Sequence, residues 1–175
     1  MSRPGVRQRA RDIRLAVFDV DGVLTDGRLV LDDRGVQTKA FHVRDGLGLK
    51  ALMQHGIEVA VITARRSRVV ELRMEELGVA HLRQGVGDKQ QALSELMAAL
   101  NVQAAQTSFM GDDLIDWPAM RLCGLSVAPA DAVAWIRARA DVVTSAAGGL
   151  GAVREFCELL LDARGALQPW QAGFH

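Results

Sequence analysis

The stretch Phe18-Asp19-Val20-Asp21-Gly22-Val23-Leu24-Thr25-Asp26-Gly27 (FDVDGVLTDG) continues the apolar run Leu15-Ala16-Val17. Such a run reads as a strand buried on both faces, yet it ends in two carboxylates one residue apart. Placing Asp19 and Asp21 together at the end of a core strand sets up mutual repulsion, which a cation or a shared proton must compensate. Gly22 then frees the backbone to turn. This arrangement predicts an α/β protein with a polar site at the end of its first strand.

Working outward, glycines and apolar periods divide the rest of the chain. Residues 13–20 form the first strand, and residues 28–43 read as a β-hairpin with Asp33-Arg34-Gly35 at its turn. A short helix ending at Gly56 leads into the buried strand Ile57–Thr63. Helices are expected over 66–77 and 89–100, with a brief segment at His81-Leu82 between them. Thr107–Gly111 and Leu125–Val127 read as further core strands, separated by the short helix of DDLIDWPAMRLCG. Helices over Ala130–Ala138 and Gly151–Leu161 flank a last strand in Asp141–Thr144. The alternation predicts an open, mostly parallel sheet covered by helices on both faces, with a hairpin after strand one and no cap domain. Residues 1–12 read as a flexible tail, 13–163 as the catalytic domain and 164–175 as a C-terminal arm in which Trp170 is packed.

Composition narrows the function classes. The chain has 175 residues, 49% of them hydrophobic, enough for a single core between helical layers. Its 21 basic and 21 acidic residues cancel, so no overall field recruits nucleic acid or a membrane surface. Lys39, Lys50 and Lys89 are the only lysines, which draws notice to any that falls near a polar site. Cys123 and Cys157 read as free thiols of a reducing compartment. Arg3, Arg7, Arg9 and Arg11 lie in a basic start without the apolar stretch of a signal peptide, and no run of 18 apolar residues follows. A cytoplasmic protein without membrane insertion is expected.

Four polar signals fall at strand ends, where ligands bind in such sheets. They are Asp19 with Asp21, then Thr63, then Lys89 at the start of a helix, then Asp112, Asp113 and Asp116 after TSFMG. Each has an ordinary structural reading: a turn, a helix N-cap, a surface lysine, acids at a helix N-terminus. Together they assemble a phosphoryl-transfer site. Hard carboxylate oxygens without a Cys or His cluster favour Mg²⁺. Thr63 can donate a hydrogen bond to phosphate, and Lys89 can neutralise a phosphoryl oxygen.

In these four ordered motifs the sequence resembles the haloacid dehalogenase-like phosphatases. The longer strings KAFHVRDGLGLKAL, ITARR, GDDLIDWPAM and GGLGAVRE resemble the subfamily acting on 3-deoxy-D-manno-octulosonate 8-phosphate in lipopolysaccharide inner-core synthesis. The resemblance implies that Asp19 attacks phosphorus and carries the aspartyl-phosphate. Asp21 would protonate the leaving sugar oxygen and then activate water. Asp19, Asp112 and the backbone carbonyl of Asp21 would bind Mg²⁺, with Asp113 and Asp116 around them, while Thr63 and Lys89 hold the phosphoryl group. His42 stands where the subfamily's string usually has Asn, and Leu150 where it usually has Arg; both fall outside the four motifs.

Neither the gap after strand one nor that between Thr63 and Lys89 has room for a cap domain. A neighbouring subunit is the expected lid, and the resemblance implies a homotetramer assembled through hairpin 28–43. A sugar-acid carboxylate calls for cations outside the catalytic set, and Arg44, Arg65 and Arg66 are the candidates at the mouth. Three other readings compete: a phosphatase for another acidic sugar such as a nonulosonate 9-phosphate, a phospho-receiver, and a silent scaffold. The order of the acidic motifs and the presence of every catalytic residue favour the hydrolase.

Overall fold

Alternate residues of the first strand enter different cores. In the computed structural model, which describes residues 5–174, Ala16 and Phe18 join one apolar cluster and Leu15 and Val17 the other. The same split recurs in the strand paired directly with it, with Val59 and Val61 on one side and Ala60 and Ile62 on the other. A strand buried on both faces requires helices on both, and the chain supplies them.

In chain order the elements are α1 Val6–Asp12, β1 Leu15–Phe18, β2 Val30–Leu31, β3 Gln37–Thr38, α2 Val43–Gln54, β4 Glu58–Thr63, α3 Arg68–Leu77 and β5 His81–Gln84. They continue with α4 Lys89–Leu100, β6 Thr107–Met110, α5 Trp117–Met120, β7 Leu125–Ala128, α6 Ala134–Arg137, β8 Val142–Val143, α7 Ala152–Ala163 and α8 Leu167–Ala172. Six parallel strands form one sheet in the order β5-β4-β1-β6-β7-β8. The chain winds outward from β1 first through β4 and β5, then through β6, β7 and β8. Strand β1 therefore lies where the winding reverses, and its carboxyl end opens between those of β4 and β6. The first core cluster packs α1, α2, α3, α7 and α8 on one face, where Phe18 meets Phe156 edge-on at 6.1 Å between ring centroids. The second packs α4, α5 and α6 on the other.

Strands β2 and β3 form a separate two-stranded sheet, the expected hairpin, but only Val30↔Thr38 and Leu31↔Gln37 pair. Asp32 organises its turn, accepting hydrogen bonds from the Arg34 and Val36 amides at 3.0 and 2.7 Å. Leu29, Val30, Leu31 and Val36 are all at least half exposed. The helix expected over Ala130–Ala138 shrinks to the single turn of α6, because Ala130 N–H bonds Ala146 O and Val133 N–H bonds Asp112 O instead of a helical partner.

Residues 6–12 correct the expectation of a flexible tail. They form α1, whose Val6 and Ala10 are buried. Arg9 fastens it, donating to Gly124 O at 2.8 Å and to Asp141 Oδ1 at 3.0 Å. Local sequence does not show this anchor because both partners of Arg9 lie more than a hundred residues away. Arg3 lies outside the described residues. In the C-terminal arm, α8 buries Trp170 under the Arg154 guanidinium, 4.8 Å from the ring centroid, while Phe174 remains exposed. Among the described residues no helix is long and apolar enough to cross a membrane.

Removing both Arg9 bonds by Arg9→Ala should cost roughly 1–3 kcal/mol, the value of a half-buried charged hydrogen-bond pair. The check is denaturant unfolding together with hydrogen exchange, in which amides of residues 6–12 should lose protection while those of β1 keep theirs.

Candidate active site

Asp19 follows β1 directly, and its amide bonds Met110 O at 3.0 Å, so it is held as the last rung beside β6. Three successive amides, of Val23, Leu24 and Thr25, then converge on Val20 O and bend the chain back. Gly22 sits in this bend at φ +86°, and a Cβ there would lie 2.1 Å from Asp112 Oδ2. Both the positive φ and the approach of Asp112 require glycine.

Thr63 ends β4 and is buried. Lys89 opens α4 behind Asp88, whose carboxylate caps the helix by accepting from Gln91 N–H at 3.0 Å. The Lys89 side chain is only 3% exposed and its ammonium lies between two carboxylates: it donates to Asp116 Oδ1 and stands 2.9 Å from Asp19 Oδ1. The ammonium is thus the charged neighbour of this buried Asp19 oxygen. After β6 the chain forms a tight turn through Leu114–Asp116. There Asp116 Oδ2 accepts from the amides of Asp112 and Asp113 at 3.0 and 3.3 Å, and Asp113 accepts from Leu114 N–H at 2.7 Å. Asp116 thus serves both as the clamp of this turn and as the anchor of Lys89.

Carboxylate oxygens of Asp19, Asp112 and Asp116 lie within 4.8 Å of one another. Burial first, then the Asp116 charge, push the Asp19 carboxyl up to about 6 in spite of Lys89. The same two causes, joined by Asp19 and Asp113, push Asp112 to about 7. Burial works against the Lys89 ammonium, but the charges of Asp19 and Asp116 outweigh it and hold its pKa above the ordinary value. Three crowded carboxylates against one ammonium leave negative charge unneutralised. A hard divalent cation fits this crowded all-oxygen set.

A cavity of about 230 Å³ opens over the cluster, lined by Asp19, Asp21, Gly27, Thr63, Ala64, Arg65, Lys89, Asp112, Asp113 and Ile115. All four sequence motifs meet there. The carboxylate of Asp21 is engaged elsewhere, by Lys39 at Oδ1 and by Arg65 Nε, 3.7 Å from Oδ2. Of the three arginines expected at the mouth, only Arg65 lines the cavity. Arg66 folds over Gly85, where a Cβ would lie 2.4 Å from its Nε. Arg44 is exposed in the first turn of α2, because its neighbour Asp45 takes the buried side to accept the Arg154 amide at 2.8 Å. Sequence reasoning gave Lys39 no role; the scarcity of lysine was the available signal.

Sheet order, strand-end acids and buried lysine together define a haloacid dehalogenase-like hydrolase. The profile of that family matches residues 81–155. The 3-deoxy-D-manno-octulosonate 8-phosphate phosphatase of Salmonella typhimurium is 49% identical over 164 residues, covering 94% of this chain and 87% of the relative. The crystal structure of the Yersinia pestis phosphatase of the same name superposes with a TM-score of 0.93 at 48% identity, covering 94% and 89% of the two chains. That of the Moraxella catarrhalis phosphatase, in complex with magnesium, phosphate and KDO, superposes with a TM-score of 0.96 at 41% identity, covering 99% and 100%. The chain belongs to the 3-deoxy-D-manno-octulosonate 8-phosphate phosphatase family.

In the metal-free chain Asp19 and Asp112 retain protons up to about pH 6 and 7, whereas unfolded carboxyls release theirs near 3.8. The folded state therefore binds more protons across that window, and stability falls as pH rises through it. Mg²⁺ should raise Tm more at pH 8 than at pH 5.5. Asp112→Asn should raise Tm without Mg²⁺ at pH 8 and largely abolish the Mg²⁺ response. Thermal melts with and without Mg²⁺ read both effects.

Proposed function

We propose that this chain hydrolyses 3-deoxy-D-manno-octulosonate 8-phosphate to the free sugar acid and inorganic phosphate, Mg²⁺-dependently, in the cytoplasm and in lipopolysaccharide inner-core synthesis. The observation that carries the reading is the acidic cluster around Lys89 at the floor of an open cavity. The Moraxella catarrhalis relative, in complex with magnesium, phosphate and KDO, supports the same substrate class.

Asp19, Asp112 and the backbone carbonyl of Asp21 would hold Mg²⁺. When bound, the ion supplies positive charge that keeps the buried carboxylates ionised and offsets the negative charge of the phosphoryl oxygens. An Asp19 oxygen attacks phosphorus as the bond to the sugar oxygen breaks, and Asp21 gives its proton to that oxygen. Asp21, now a carboxylate, takes a proton from water; the water oxygen attacks phosphorus, and the bond to Asp19 breaks. Thr63 and Lys89 hold the phosphoryl oxygens throughout, and Asp113 and Asp116 keep the acidic turn and Lys89 in place. Asp21 is suited to cycle a proton because its carboxylate stands outside the Asp19–Asp112–Asp116 cluster. Arg65, which lines the cavity, would meet the sugar-acid carboxylate.

At about 230 Å³ the cavity falls below the roughly 300–1,000 Å³ usual for sites that enclose a ligand, so a phosphorylated eight-carbon sugar acid is left partly uncovered by this chain. A homotetramer joined through hairpin 28–43 accounts for both the open mouth and the exposed Leu29, Val30, Leu31 and Val36.

Phosphate release from a panel of phosphorylated sugar acids and neutral sugar phosphates, with Mg²⁺, tests the reaction. A strong preference for the octulosonate 8-phosphate, lost by at least about a thousandfold in Asp19→Asn, is the expected result. Preference for a nonulosonate 9-phosphate would move the substrate and leave the mechanism. Sedimentation at assay concentration should find a tetramer; a fully active monomer would remove the assembly from the proposal.

A further inference from the structure

Only three lysines occur in the chain, and Lys50 is exposed on α2. The side chains of the other two are 1% and 3% exposed, and each holds one aspartate of the opening motif: Lys39 pairs with Asp21 and Lys89 with Asp19. Burying an ammonium is costly unless it is paired, so each lysine is committed to its carboxylate. We propose that Lys39 is the positioning residue for Asp21, and that the hairpin acts on turnover through it. The proposal rests on the reading of Asp21 as the acid and base of the reaction.

Lys39 follows β3 at the foot of the hairpin and reaches Oδ1 of Asp21. The second Asp21 oxygen faces Arg65 Nε at 3.7 Å, but that side chain is 55% exposed, so solvent screens the pair. The buried cation is therefore the one that fixes where the carboxylate sits. Lys39 is absent from the lining of the catalytic cavity, so it acts on the substrate through Asp21. Asp21 must reach two places in turn, the leaving sugar oxygen and the attacking water. A carboxylate anchored at one oxygen presents the other to both at little cost in conformational freedom. The anchor is carried on an appendage paired by only two residue pairs, apart from the main sheet. Displacement of the hairpin would carry Lys39 with it and release Asp21, while Asp19, Thr63 and Lys89 stay on the main sheet and α4.

The test compares Lys39→Met, Lys39→Arg, Asp21→Asn and Asp19→Asn on two substrates. On the sugar-acid phosphate, Lys39→Met should lower kcat by roughly 10- to 100-fold, the scale of a misplaced catalytic group, with KM changed less than about threefold. Lys39→Arg should recover most of the loss. With 4-nitrophenyl phosphate, whose leaving group needs no proton, rapid mixing separates the two chemical steps. Attack by Asp19 should stay fast in Lys39→Met, and hydrolysis of the aspartyl-phosphate should become slow. A burst of 4-nitrophenol larger than in the unmodified protein, approaching one per active site, is the expected signature, shared with Asp21→Asn. A burst in Asp21→Asn but not in Lys39→Met would overturn the role of Lys39 and leave the reaction scheme standing. A rise in KM with kcat intact would overturn it too, making Lys39 a substrate contact. Turnover retained in Asp19→Asn would bring down the underlying scheme and the proposal with it.

Discussion

The ammonium of Lys89, buried between Asp19 and Asp116, is the interaction on which the site is built. It joins three elements distant in sequence: the end of β1, the start of α4 and the turn after β6. Such a pair adds little net stability over an apolar substitute, because desolvation consumes most of the attraction, whereas removing one partner costs roughly 3–5 kcal/mol. Its value lies in geometry. It sets a fixed positive charge at the cavity floor and fixes the turn that carries Asp112 and Asp113.

The arrangement is stable in charge only in part. One ammonium faces three carboxylates, and burial together with this surplus charge raises the proton affinity of Asp19 and Asp112. Close approach of the backbone is what makes this crowding possible. Gly22 leaves room for the Asp112 carboxylate, and Gly148 lies so near the same bend that a Cβ would stand 1.9 Å from Gly22 O. The segment before α7, far along the chain, thus supports the bend after β1 from behind.

Above this rigid floor the subunit offers little cover. The hairpin that follows the bend has four exposed apolar side chains and contributes Lys39 below. One appendage therefore carries both the surface proposed for assembly and a contact to the residue proposed for proton transfer. If the lid comes from another subunit, as proposed, closure is tied in this way to the placement of Asp21.

Much of this was legible in the sequence because it is written in local patterns. The apolar runs Leu15–Phe18 and Val59–Ile62 and the pair Phe109-Met110 mark core strands, and the polar residues that follow them, Asp19, Thr63 and Asp112, mark one edge of the sheet. The four motifs therefore determined the fold class, the place of the site and its chemistry. What depended on partners far along the chain was not legible. Arg9 stood in a basic start with no visible role until Asp141 and Gly124 O were seen to meet it, whereas Arg7 pairs with Asp162 only at the exposed surface. Arg44, Arg65 and Arg66 were equivalent as sequence, and only the burial of Asp45 and the approach of Gly85 sent two of them away from the cavity. Lys39 was a rare residue without a role until the fold brought it to Asp21. Hydrophobic period and motif order act over a few residues, so the sequence alone carries them; charge pairing acts between whatever surfaces the packed chain brings together, so only the tertiary structure decides it.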